Sequence, residues 1–179
     1  IALGMWQLHR AHDMKNHKAV VDHRIYPLTD LAQPSGSIPP GSIGKTVSAS
    51  GHFIANFKAP NQQDGAGKVA DWEVALLQTD TNTAILVVRG LWADRFSSSD
   101  IVMSSLVSVT GTLLPHQNDD RAENTPQQLS RLDSSLLTST TDMQLYDGFI
   151  LAKSESTRNG AATRHRISVP VLTSAIPGF

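Results

Sequence analysis

The run Ala84–Trp92 (AILVVRGLW) constrains the fold of this chain most. It is apolar on both faces as far as Arg89, which places it at the centre of a sheet with both sides covered. Val69–Thr79 also reads as a strand, and Asp80-Thr-Asn-Thr83 between them has turn chemistry, so the two form a hairpin. Thr46–Phe57 alternates Val47, Ala49, Gly51, Phe53, Ala55 and Phe57 against mostly polar residues. That is the mark of a half-buried strand, with Gly51 at a bulge or a close approach. Ile101–Leu114 is a further strand, interrupted at Gly111 and ended by Pro115, and Met143–Ser154 and Arg164–Leu172 bring the number to six. Thr125-Pro126 offers the cap and first residue of one short internal helix through Leu129, Leu132 and Leu136. The expected fold class is mainly β (α+β): an antiparallel sheet curled into a small barrel.

The first 24 residues differ from this β pattern. Ile1–Arg24 opens apolar and turns abruptly polar, and a helix through it would be about 36 Å long. It resembles the exit end of a membrane-spanning helix, with Trp6 at headgroup depth and Arg10, Lys15 and Lys18 in water. An ordinary amphipathic surface helix is the competing reading. An apolar Ile1 with no initiator Met implies that residues precede it, and no apolar run reaches the length of about 18 needed to cross a bilayer. Membrane anchors would therefore lie outside the chain. Gln33–Gly44 (QPSGSIPPGSIG) is a linker or an extended crossing of the domain surface. The expected organisation is a membrane-proximal helix over 1–24, a linker over 25–44 and a β-rich domain over 45–179.

Fifteen basic against sixteen acidic residues give a net charge of −1, so no bulk field recruits nucleic acid. The absence of cysteine excludes disulfides, zinc–thiolate sites and Cys nucleophiles. His9, His12, His17 and His23 lie in the first helix, with Asp13 four residues beyond His9. One helix supplies two metal ligands at best, and a solvated face is the simpler reading. Gly41-Ser-Ile-Gly44-Lys45-Thr46 lacks the first glycine of a phosphate-binding loop, where Pro39 stands, and lacks the preceding strand. No nucleophile elbow or zinc-protease motif occurs, and Asp71, Glu73 and Asp94 have no acid/base spacing. No catalytic or metal residue is assigned. Arg89 stands out, because an arginine closing an apolar strand is costly unless its fork is paired. It therefore has a partner, or it reaches a functional surface or solvent.

Gly4-Met-Trp6-Gln7-Leu-His-Arg10 resembles the G-x-W-Q-x-x-R signature of the SURF1 family of cytochrome c oxidase assembly factors. Further along, Gly51-His-Phe53 resembles that family's glycine–aromatic strand. Arg89-Gly90-Leu91-Trp92 is similar to its R-G-W strand, with one residue inserted or with Leu91 in the tryptophan's place. Thr110-Gly111-Thr-Leu113, Leu132-Asp133 and Leu145-Tyr146-Asp-Gly-Phe149 follow in the family's order. The resemblance implies a β-rich domain between two membrane helices on the outer side of the cell membrane. It also implies help with assembly or haem a insertion in a haem–copper oxidase. The partners it implies are oxidase subunits or a respiratory supercomplex, and the membrane. Haem a would be met through a segment beyond Phe179, so no cofactor ligand is carried onto this chain.

The interface residues expected are Gly4, Trp6, Gln7, Arg10, Arg89, Gly90 and Trp92, aromatic and arginine side chains being the usual anchors of a contact. The chain is expected to work by contact, not as an enzyme. A permanent accessory subunit with no part in cofactor delivery is the alternative. A periplasmic metal-binding module using the helix histidines is a lesser one, and an OB-like barrel for oligonucleotides or sugars lacks its exposed aromatic platform.

Overall fold

The computed structural model describes residues 24–96, 105–157, 160–161 and 166–167. The strands are β1 (Ile25–Pro27), β2 (Thr46–Gln63), β3 (Val69–Asp80), β4 (Thr83–Leu91), β5 (Val107–Leu114), β6 (Gln144–Thr157) and β7 (Gly160–Ala161). Among the described residues, one short helix, α1 (Leu28–Leu31), and three 3-10 turns accompany them. All seven strands form one sheet, running β1-β2-β3-β4-β6-β5, and β5 pairs again with β2 to close a ring of five strands.

The expected mainly β fold is present, but the sheet is mixed. β1 runs parallel to β2 and β4 parallel to β6, whereas the remaining pairs are antiparallel. The β3–β4 hairpin turns between Asp80 and Thr83, as its turn residues require. β2 closes the ring by changing partner along its length. Thr46–Gly51 pairs with β5, and His52 onward pairs with β3. Gly51 sits at that handover, where a Cβ would lie 1.8 Å from the Gln78 carbonyl oxygen. Only a glycine lets the two backbones approach so closely.

Two apolar clusters use the two faces of the strands. One draws on all five ring strands, through Val47, Phe53, Leu77, Ile85, Val87, Val109 and Ile150, and so fills the inside of the closed sheet. The other, with Trp72, Val74, Leu86, Val88, Phe149 and Leu151, lies on the outer face beneath Leu129, Leu132 and Leu137 of the 115–143 connection. β4 is therefore buried on both sides, which is why its sequence lacks alternation.

Residues 25–44, expected as a linker or an extended crossing of the domain surface, pack on the sheet. Leu28, Ala32 and Ile38 are buried in the inner cluster, and the Ser35 amide donates to the Leu145 carbonyl at 3.0 Å. No helix forms through Leu129 and Leu132. Thr125 and Gln128 make a tight turn through reciprocal amide–carbonyl bonds of 2.9 and 3.2 Å, and the Leu129 amide bonds to the Lys58 carbonyl of β2 at 2.9 Å. The leucines reach the outer face from an irregular segment, and the helical turn comes later, at Ser134–Leu137.

Ile101–Ser104 and the first 23 residues lie outside the described residues, as does most of the expected last strand Arg164–Leu172, of which Arg166 and Ile167 are described and are in no strand. Among the described residues, no helix is long and apolar enough to cross a membrane.

Candidate functional site

Two β-bulges build the most unusual feature of the domain. Glu73 of β3 lies opposite Gly90, while its neighbour Val74 lies opposite Val88, so Arg89 is the extra residue on β4. On β6, Thr110 lies opposite Ser154 and Gly111 opposite Ala152, which makes Lys153 the extra residue. Each bulge shifts the side-chain alternation by one. Lys153 keeps the outer face that alternation from Ile150 and Ala152 gives it, whereas Glu155, opposite Val109, turns into the ring.

Arg89 and Glu155 meet there. Arg89 Nε donates to Glu155 Oε1 and Oε2 at 3.2 and 3.0 Å, and Nη2 donates to Oε1 at 2.7 Å. The guanidinium also stands 4.4 Å from the ring centroid of Phe53 and, through Nη1, 3.7 Å from Glu73 Oε2. Arg166 completes the group, its Nη1 donating to Glu155 Oε2 at 2.9 Å and to the Arg89 carbonyl at 2.8 Å. Glu155 is 0% exposed, and Glu73 and Arg89 are buried too. Two guanidinium and two carboxylate groups thus oppose one another at the end of an apolar interior. Such clusters are stable only when their members remain together. The arrangement ties β3, β4, β6 and the Arg166 segment to one another. Both carboxylate oxygens of Glu155 are taken up by arginine N–H groups.

A second polar group fastens the 115–143 connection. The Asp133 carboxylate caps the turn at Ser134–Leu137 by accepting from the Ser135 amide at 3.0 Å, and it accepts from Arg131 Nε at 2.9 Å. Burial pushes the Asp133 pKa up, but the Ser135 amide and the Arg131 guanidinium outweigh it and hold it below the usual carboxylate range. Asp120, accepting from Ser130 Oγ and Arg131 Nη1, is lowered by those bonds. Nearer the hairpin tip, buried Gln62 exchanges hydrogen bonds with Gln117, and its Oε1 accepts from Arg121 Nη1 at 2.8 Å.

Two open clefts flank the Trp72 indole. One lies between Lys68, Leu91 and Arg166, and the other between Leu114, Gln117, Arg121 and Phe149. Trp92, which opens a 3-10 turn after β4, has Arg95 stacked on it at 4.0 Å, and the same guanidinium lies 4.5 Å from the Phe96 ring. Phe96 is 84% exposed.

A sequence model of the SURF1 family matches residues 1–175. The chain belongs to the SURF1 family. This is a family of cytochrome c oxidase assembly factors. No curated protein and no solved structure shows a significant match to the chain.

Several family landmarks in this SURF1 chain coincide with geometric constraints. Gly51 is the handover glycine and Phe53 lies under the Arg89 guanidinium. Gly111 faces β6 so closely that a Cβ would meet the Leu151 carbonyl oxygen at 2.2 Å, and Asp133 is the cap described above. Of the expected interface residues, Arg89 and Gly90 stand at the buried ion group, and Trp92 lies beyond it, half-exposed. Gly4, Trp6, Gln7 and Arg10 lie outside the described residues, as do His9, His12, His17 and His23. Glu155, Glu73 and Arg166 are site residues that the sequence did not single out. The unusual position of Arg89 signalled that a partner existed, without saying which.

Proposed function

We propose that this chain is a membrane-anchored factor that assists the assembly of a haem–copper cytochrome c oxidase, including haem a insertion, by protein–protein contact on the outer side of the cell membrane. The family match along residues 1–175 carries this reading. The domain supports it in kind. A closed sheet braced by a buried ion group presents fixed surfaces, and a preorganised surface loses little entropy when a partner docks. Among the described residues neither cleft beside Trp72 is lined by histidine or methionine, and those residues do not fit a haem. The part assigned to this domain is accordingly contact with an oxidase subunit.

The test is deletion of the gene from its host, followed by measurement of haem a and oxidase activity in purified membranes. Loss of both, with recovery on re-expression of the full protein, is the expected result. Unchanged haem a and activity would refute the proposal. A tagged chain found one-to-one in the finished oxidase would favour a permanent accessory subunit, while its presence on assembly intermediates only would favour the transient factor.

A further inference from the structure

The two clefts beside Trp72 share that residue and Asp64 as walls, and residues of the β2–β3 hairpin tip line both, so together they make a two-part groove beside that tip. We propose that this groove docks an extended, carboxylate-bearing segment of a partner protein. The inference rests on the contact-making role above and names the chemistry of the contact.

Charge carries the argument. Three cations, Lys68, Arg121 and Arg166, line the two halves, against one acid, Asp64. Asp64 Oδ1 is occupied by its own turn, accepting from the Ala66 and Lys68 amides at 2.9 Å each. Lys68 and Arg121 retain unused donors. Arg121 spends Nε on Asp119 and Nη1 on Gln62, and its Nη2 has no partner among the described residues. Arg166 spends Nη1 on Glu155 and the Arg89 carbonyl, and its Nη2 is buried, so it lends the groove charge and not a reachable donor. The Lys68 ammonium is exposed on the hairpin and has no ion pair among the described residues. Between these cations the walls are apolar, with Trp72, Leu91, Leu114 and Phe149. Carboxylates at both ends with an apolar side chain between them match that order.

The groove is also held in shape before anything binds. Gln62 fixes Arg121 and Gln117 through its own hydrogen bonds, and the Asp64 turn fixes the hairpin tip, with Gly67 at φ 85°. Oligonucleotide is a poor fit, since Trp72 is only 3% exposed and offers no open face for stacking.

The probe is a synthetic capped peptide alternating Glu with Leu and Phe, titrated into the full chain and followed by the Trp72 indole N–H resonance. A second peptide with Lys in place of each Glu serves as the comparison. The acidic peptide is expected to bind and shift the Trp72 signal, more weakly as salt is raised, while the basic one leaves it in place. Lys68→Glu and Arg121→Glu are each expected to weaken binding about three- to tenfold, as reversed rim charges do. Lys153→Glu, on the solvent side of β6, is expected to leave it unchanged. Lys68→Glu keeps the turn amides and provides the test even if Arg121→Glu misfolds. Equal response to both peptides, or full binding by Lys68→Glu, overturns the proposal. The readout is the peptide alone, so its failure is distinct from a failure of the oxidase deletion test.

Discussion

Glu155→Gln probes the buried ion group most directly, because it removes a charge and almost no volume. Two guanidinium groups lean on this carboxylate, Arg89 at 2.7 Å and Arg166 at 2.9 Å between nearest atoms. With charge centres about 4 Å apart and an effective dielectric of about 20, each attraction is about 4 kcal/mol. Part of that loss is offset, because the variant no longer desolvates a carboxylate. Removing one member of a buried ion pair costs about 3–5 kcal/mol net. The low end, about 3 kcal/mol, is expected here, since the amide oxygen still accepts one bond and Glu73 remains 3.7 Å from Arg89. Against a total stability of about 5–15 kcal/mol this is a large fraction, and it lowers Tm by about 6–12 °C. Urea unfolding of the full chain, followed by tryptophan fluorescence, measures it. The double variant Arg89→Met/Glu155→Met removes one charge of each sign, and it is expected to lose much less than its two single variants combined. A Glu155→Gln protein within about 0.5 kcal/mol of the parent would refute this account, that being the range of ordinary surface changes. A strictly additive double variant would refute it equally.

Gly51→Ala forces a Cβ to 1.8 Å from the Gln78 carbonyl oxygen, so β3 must move; a loss at or above the usual overpacking range of about 1–3 kcal/mol is expected in Tm, against none for Gly41→Ala, where nothing lies within 4 Å. Asp133 has a folded pKa below its unfolded value of about 3.9. Its stabilisation is therefore present above about pH 4 and is lost as pH falls through the lowered folded value. Asp133→Asn keeps a cap and removes the charge, so its Tm should fall less steeply than the parent's from about pH 4 to about pH 2; parallel curves would contradict this.

Much of the fold was legible because burial writes itself into single strands. Ala84–Trp92 has no polar face, and its strand, Thr83–Leu91, has none exposed. Gly51 interrupts an alternating run, and a backbone approach is there. Pairing partners were less legible. Nothing local in Gln144–Thr157 says that it lies parallel to β4, and hydrogen-bond direction leaves no mark on composition. Thr125-Pro126 has the chemistry of a helix start, but the same residues serve a turn. The Lys58 carbonyl, just over seventy residues earlier in the chain, takes the Leu129 amide and decides between them. Residues 25–44 were rich in turn formers, which told of a linker or a crossing but not that Leu28, Ala32 and Ile38 join the inner cluster.

The candidate site divides along the same line. Arg89 was visible because its neighbours are apolar. Glu155 was not, since it stands in Lys153-Ser-Glu-Ser156, which reads as a solvated strand end. Period-two alternation assigns Glu155 to the face of Lys153, which is exposed, so the ordinary rule predicts solvent for both. The bulge at Lys153 breaks that rule, and it sits where Gly111 lets β5 and β6 approach. The bulge at Arg89 adds a residue to β4 at the matching level, beside Glu73. Closing five strands into a ring demands local bends of this kind, and the bend at Lys153 turns Glu155 inward, toward Arg89, which alternation from Ile85 and Val87 already places inside. The ion group is thus a consequence of how the sheet closes. A substitution that straightens the bulge at Lys153 should release Arg89 and Glu155 from each other without touching either one.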